Sequence, residues 1–256
     1  MSQNPLLSPG SVKPAGAGSS GSGRSVDAGQ GWAWIVGGFE LFKKQPGMWI
    51  ALIVIFVLIL LAFALLNLVF FLGSIATLLL TPVFAGGLMI GCRTLQGGGQ
   101  LEIEHLFAGF KAHTGNLIVL GALSLAGGIV VMLPMLLIVG VGAFFGASQG
   151  DAAGAMAIGG SFLIGWLVTM ALSILLYMAL WFAPALVVLR GAAPVAAITA
   201  SFSACLKNFV PFLIYGIVTL VLGIIASIPL ALGWLVLGPV VIASIYVAYR
   251  DIFGDA

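Results

Sequence analysis

Four stretches of the chain carry no Asp, Glu, Lys or Arg: Gln45 to Cys92, Ala112 to Gly150, Ala152 to Leu189 and Asn208 to Tyr249. Within them apolar residues, mostly Leu, Ile, Val and Ala, run on without the alternation of a half-buried strand. A helix crosses a bilayer's hydrocarbon in about 20 residues. The runs and their breaks therefore predict six spans, over Met48–Phe71, Ile75–Thr94, Thr114–Phe145, Ala157–Leu189, Phe209–Ile228 and Ala231–Tyr249. The third and fourth are longer than one crossing requires, so they tilt or project as a helical hairpin. The short polar connection Ala147–Gly154 makes those two antiparallel neighbours. A membrane barrel would instead alternate over about 10 residues, with polar positions facing its lumen.

Basic residues punctuate this pattern. Lys43 and Lys44 precede the first span, Arg93 stands at the end of the second, and Lys111 precedes the third. Arg190 follows the fourth, Lys207 precedes the fifth and Arg250 follows the sixth. With Lys13 and Arg24 near the start, all nine basic residues fall on one side of a six-span topology. Cytoplasmic loops hold the excess of Lys and Arg. This predicts that both termini of a multi-pass membrane protein lie in the cytoplasm. A five- or seven-span reading breaks the partition.

An internal repeat lies beneath the spans. The segments Gly31–Lys44, Leu101–Ala112 and Pro194–Lys207 each precede an odd-numbered span. Moving the first by 68 positions sets Ile35, Phe39 and Phe42 on Ile103, Phe107 and Phe110. Moving it by 163 sets Trp32, Ile35, Phe39 and Phe42 on Val195, Ile198, Phe202 and Cys205. The spacing i, i+3, i+7, i+10 is one stripe of a helix. Pro82 and Arg93 stand 11 residues apart, as do Pro239 and Arg250; the middle unit departs, with Arg190 six residues after Pro184. The chain thus reads as an all-α, six-helix transmembrane bundle of pseudo-threefold symmetry with three amphipathic helices at the cytoplasmic interface. Its units cover about 31–95, 101–190 and 194–250. Each enters and leaves on one side, unlike the inverted repeats of many alternating-access transporters.

Composition narrows the chemistry. Of 256 residues, 62% are apolar and 6% charged, against about 25% charged in a soluble domain. That excludes a single soluble domain. A net charge of +2 gives no footprint for nucleic acid. Residues Met1–Gln30, rich in Gly, Ser and Pro, hold no apolar run of signal-peptide length and read as a flexible tail. Cys92 and Cys205 fall near cytoplasmic helix ends and read as free thiols. With His105 and His113 they make no clustered metal set, so no metal or cofactor is expected.

Glu102, Glu104, His105 and His113 gather on one segment. A Glu102–His105 pair at i, i+3 is the one arrangement there with catalytic potential, and a solvated helix face accounts for the same residues. No nucleophile elbow, zinc-spaced histidine pair or phosphate loop is present. Apart from Arg93 at the end of the second, no charged residue lies inside the spans, where coupled transporters usually keep one. Gly87 with Gly91, and Gly142 with Gly146, have the small-xxx-small spacing that lets helices approach closely within a bundle.

The stretch from Gly31 through Trp49 (GWAWIVGGFELFKKQPGMW) and the ending Tyr249–Gly254 (YRDIFG) resemble a family of integral membrane proteins of beta- and gamma-proteobacteria. The resemblance implies a helical, multi-pass protein of the bacterial inner (cytoplasmic) membrane over Gly31–Gly254 and supplies no catalytic residues. The expectation is a non-enzymatic membrane component that interacts with lipids, anionic ones included, or with a membrane-protein partner or a second copy of itself. The candidate lipid contacts are Trp32, Trp34, Lys43, Lys44, Arg93, Lys111, Lys207 and Arg250. The alternative is a small channel or transporter for an apolar or weakly polar solute.

Overall fold

In hydrocarbon every backbone N–H and C=O must be paired within the protein, and a helix does this without a neighbour. The computed structural model describes residues 23–68, 72–149 and 152–254. Ten α-helices follow in order among them: α1 (Gln30–Lys44), α2 (Pro46–Leu66), α3 (Leu72–Gln96), α4 (Glu104–Phe107), α5 (Thr114–Gln149), α6 (Ala152–Leu180), α7 (Ala183–Arg190), α8 (Pro194–Lys207), α9 (Phe209–Ser227) and α10 (Trp234–Phe253). Six segments are long and apolar enough to cross a membrane: α2, α3, α5, α6 with α7, α9 and α10.

The core is not spread evenly. Its large side chains, among them Trp34, Trp49, Phe182, Leu186, Tyr249 and Ile252, gather towards the helix ends that carry the basic residues. The opposite reaches of α2, α5, α6 and α9 expose Leu61, Leu65, Leu136, Phe144, Phe162 and Leu220. Close backbone approach holds the elements together. A Cβ at Gly109 would run into the Val83 carbonyl of α3, and one at Gly38 would lie 2.5 Å from the Val240 carbonyl of α10.

The α5–α6 hairpin is the longest feature. α5 has 36 residues, about 54 Å at 1.5 Å per residue. Gly142 faces Ser161 of α6, and Gly146 faces the Gly154 carbonyl and Ile158. The glycine pair of α5 thus serves packing within the chain.

Three sequence expectations need correction. The fourth span is not one helix: it breaks between α6 and α7, with Pro184 in the first turn of α7. In a continuous helix the Phe182 N–H would bond the Met178 carbonyl. Instead the Ser201 hydroxyl of α8 stands between them, accepting from Phe182 N–H at 3.0 Å and donating to Met178 C=O at 2.8 Å. A polar side chain inserted into the ladder is a recognised cause of a helix break. The second amphipathic segment, Leu101–Ala112, is likewise no continuous helix but the four-residue α4 and a 3-10 turn, Ala108–Phe110. Gly109, a poor helix former, lies there against α3.

The tail is the third correction. Residues 1–22, with Lys13, lie outside the described residues, as do 69–71 at the end of the first predicted span and 150–151 in the hairpin connection. Residues 23–29, read as tail, are strapped across the ends of α9 and α10. The buried Asn208 side chain accepts from the Val26 N–H at 2.8 Å and donates to the Arg24 carbonyl at 3.0 Å. Arg24 also donates its backbone N–H to the Ile252 carbonyl and pairs with Asp251 at 2.7 Å.

Candidate functional site

Helix α1 carries four of the eight candidate lipid contacts. Its tryptophans at positions 32 and 34 and its lysines at 43 and 44 point in different directions, because 100° per residue separates neighbours. Trp34, Ile35, Gly38, Leu41 and Phe42 turn inward against α9 and α10. Trp32, Val36 and Phe39 stay exposed. The single stripe read from the sequence is therefore split, with Ile35 and Phe42 inside and Trp32 and Phe39 outside. Trp34 is no surface contact. It is 1% exposed, donates its indole N–H to Asp251 at 2.9 Å, and packs on Phe212 at a centroid distance of 5.1 Å.

The two lysines divide their work. Lys43 pairs with Glu40 at 2.7 Å and lies over the Phe39 ring. Lys44 reaches across to donate to the Leu95 carbonyl at 3.2 Å, an acceptor near the end of α3. An apolar groove of about 490 Å³ begins under Trp32, Val36 and Phe39 and runs along α9 and α10 to Pro229 and Gly233.

Arg93 and Arg250 come together on a second concavity of about 350 Å³, between the ends of α3, α7 and α10. Gln96, Leu189, Tyr246 and Tyr249 complete most of its wall. Arg190 lies beyond Tyr249. It donates Nε–H to the Tyr249 hydroxyl at 3.1 Å, bonds the Phe253 carbonyl, and has its guanidinium over the Tyr249 and Phe253 rings. Lys111 and Lys207 do not join either concavity. Lys111 pairs with Glu104 at 3.2 Å, both side chains well exposed. Lys207 ends α8 on the surface.

The cluster on the second amphipathic segment is committed to local structure. Glu102 precedes α4, and its backbone N–H, not its carboxylate, meets His105, at Nδ1 2.9 Å away. Many of the polar groups inside the spans are similarly occupied, while the buried Thr169 hydroxyl and Trp181 indole N–H have no hydrogen-bond partner among the described residues. Thr77, Ser124, Ser173 and Thr219 donate to carbonyls four residues back. Tyr215 and Ser244 share a hydrogen bond of 2.8 Å between α9 and α10. Cys92 and Cys205 are free and buried. Burial pushes the Cys205 thiol up to about 12, against the lowering effect of its bond with Ser201.

Sequence reasoning missed Asn208, Ser201 and Asp251. Each is a polar residue at or beside an apolar helix, and that signal exists in the sequence. What it lacks is the partner, 182 residues away for Asn208 and Val26.

No family model matches the chain, and no solved structure matches it. It is 30% identical over 262 aligned positions to a Burkholderia thailandensis protein named "Probable inner membrane protein". The alignment covers 90% of this chain and 93% of the relative. Composition, six apolar helices and this relative agree, and the chain belongs to that protein's family of inner-membrane proteins.

Proposed function

We propose that this protein is a non-enzymatic component of the inner membrane that holds phospholipid on the outer face of α1. The observation that carries the reading is the join of Trp32, Phe39 and Lys43 to the apolar groove along α9 and α10. Trp and Phe rings sit well at headgroup depth, and lysine stems cover apolar surface while their ammonium groups reach phosphates. An apolar groove at membrane depth takes an acyl chain. On this reading α1, the α4 segment and α8 are interfacial elbows of three like units, and both termini face the cytoplasm with the basic residues. The meeting of Arg93 and Arg250, equivalent positions of the first and third units, supports the repeat. A solute path would need a row of polar groups left over to line it, and Thr77, Ser124, Ser173, Tyr215, Thr219 and Ser244 are spent inside their own helices or between neighbours, which leaves Thr169 and Trp181.

The test is native mass spectrometry of protein extracted gently from its own membrane. Lys43→Gln with Lys44→Gln is expected to lower retained cardiolipin and phosphatidylglycerol several-fold. Trp32→Ala with Phe39→Ala is expected to lower retention of all phospholipids. Unchanged retention in both variants defeats the proposal.

A further inference from the structure

The concavity between α3, α7 and α10 raises a question of charge. The C-terminal end of a helix carries roughly half a negative charge in unsatisfied carbonyls, and one cation near it is the ordinary complement. Near the ends of α3 and α10 carbonyls already have such partners. Lys44 bonds the Leu95 carbonyl, and Arg190 bonds the carbonyls of Phe253 and Gly254. Arg93 and Arg250 stand at the same place in addition to these, and both line the hollow. The Arg93 side chain has no ion pair or hydrogen bond among the described residues. Among the described residues no carboxylate lines the hollow; Glu40, Glu104 and Asp251 are paired with Lys43, Lys111 and Arg24.

We infer that this hollow is a binding site for a phosphate group, with Arg93 and Arg250 as its cationic arms. The guanidinium is a planar fork whose N–H groups match phosphate oxygens two at a time. Gln96 adds an amide that donates as well. The buried rings of Tyr246 and Tyr249 form a firm wall, and Leu189 an apolar one. A volume of about 350 Å³ holds far more than one water-sized group, so a phosphate enters together with the group that bears it. Two sources share this chemistry: the headgroup of an anionic phospholipid and a soluble phosphorylated compound. The site is separate from the face of α1 and stands whether or not that face holds lipid.

The full chain in nanodiscs tests the assignment. In neutral phosphatidylcholine discs, inorganic phosphate is titrated at constant ionic strength while the thermal unfolding midpoint is followed. A parallel set of discs contains phosphatidylglycerol and no phosphate. A saturable rise with phosphate assigns a soluble ligand, and a rise with phosphatidylglycerol alone assigns the headgroup. In either arm Arg93→Gln is expected to weaken the response about tenfold or more, while Lys111→Gln leaves it unchanged. The inference is overturned if neither probe raises the midpoint of the unaltered protein, or if Arg93→Gln responds as that protein does. Should Arg250→Gln fail to fold, Arg93→Gln decides alone, since its exposed side chain holds nothing else in place.

Discussion

Ser201 shows how much one hydroxyl can decide. It is fully buried, and its oxygen fills the gap where α6 stops and α7 has not begun. Cys205, one turn further along α8, also meets the Met178 carbonyl, at 3.5 Å. Ser201→Ala removes the partner of the Phe182 N–H and one of two partners of Met178 C=O. A buried polar group left unpaired costs about 1–3 kcal/mol. The expected result is a loss of that size in reversible unfolding of the full chain, with Ser201→Thr losing less because it keeps the hydroxyl. If Ser201→Ala unfolds as the unaltered protein does, the break is held by Pro184 and ring packing and not by the hydroxyl.

At the scale of elements, the spans were legible because charge-free length is a local property that a bilayer forces on any crossing helix. The break at Trp181–Phe182 was not, since it is made by a residue 19 positions away from Phe182. The docking of residues 23–29 escaped for the same reason: their composition is that of a tail, and the groups that tie them down, the Asn208 amide, the Asp251 carboxylate and the Ile252 carbonyl, lie far along the chain. Among the candidate contacts, the exposed stripe of α1 was half legible, because periodicity names one face but not which edge a neighbour covers. The hairpin offers a prediction at this scale. α5 and α6 meet through Gly146, where a Cβ would lie 2.6 Å from the Gly154 carbonyl. Gly146→Leu is expected to separate the distal ends of the hairpin. Cysteines placed at Ala143 and Ile158 are then expected to cross-link much more slowly in Gly146→Leu than in the unaltered hairpin, while overall unfolding changes little, as the core gathers elsewhere. Equal cross-linking would show that the hairpin is held by other contacts.

For the whole molecule, the orientation we propose rests on where the structure collects its cations. Arg24 lies on Asp251, Lys44 on Leu95 and Arg190 on Phe253, while Arg93 and Arg250 share one hollow. Charges scattered over 227 residues of sequence, from Arg24 to Asp251, thus meet at one end of the bundle. Moving such an end through the membrane would carry every one of those cations across hydrocarbon, which is what the positive-inside bias reflects. The opposite end offers the turn of residues 228–233 and the hairpin tip near Ser148. Single cysteines at Ser148 and Leu230, both exposed, report that end, and cysteines at Gln100 and Ala192 report the basic one. The native Cys92 and Cys205 are buried and contribute little background. A membrane-impermeant thiol reagent applied to spheroplasts is expected to label the first pair at once and the second only after lysis. Labelling of Gln100→Cys or Ala192→Cys in intact spheroplasts would overturn the proposed topology and with it the proposed cytoplasmic placement of the Arg93–Arg250 hollow.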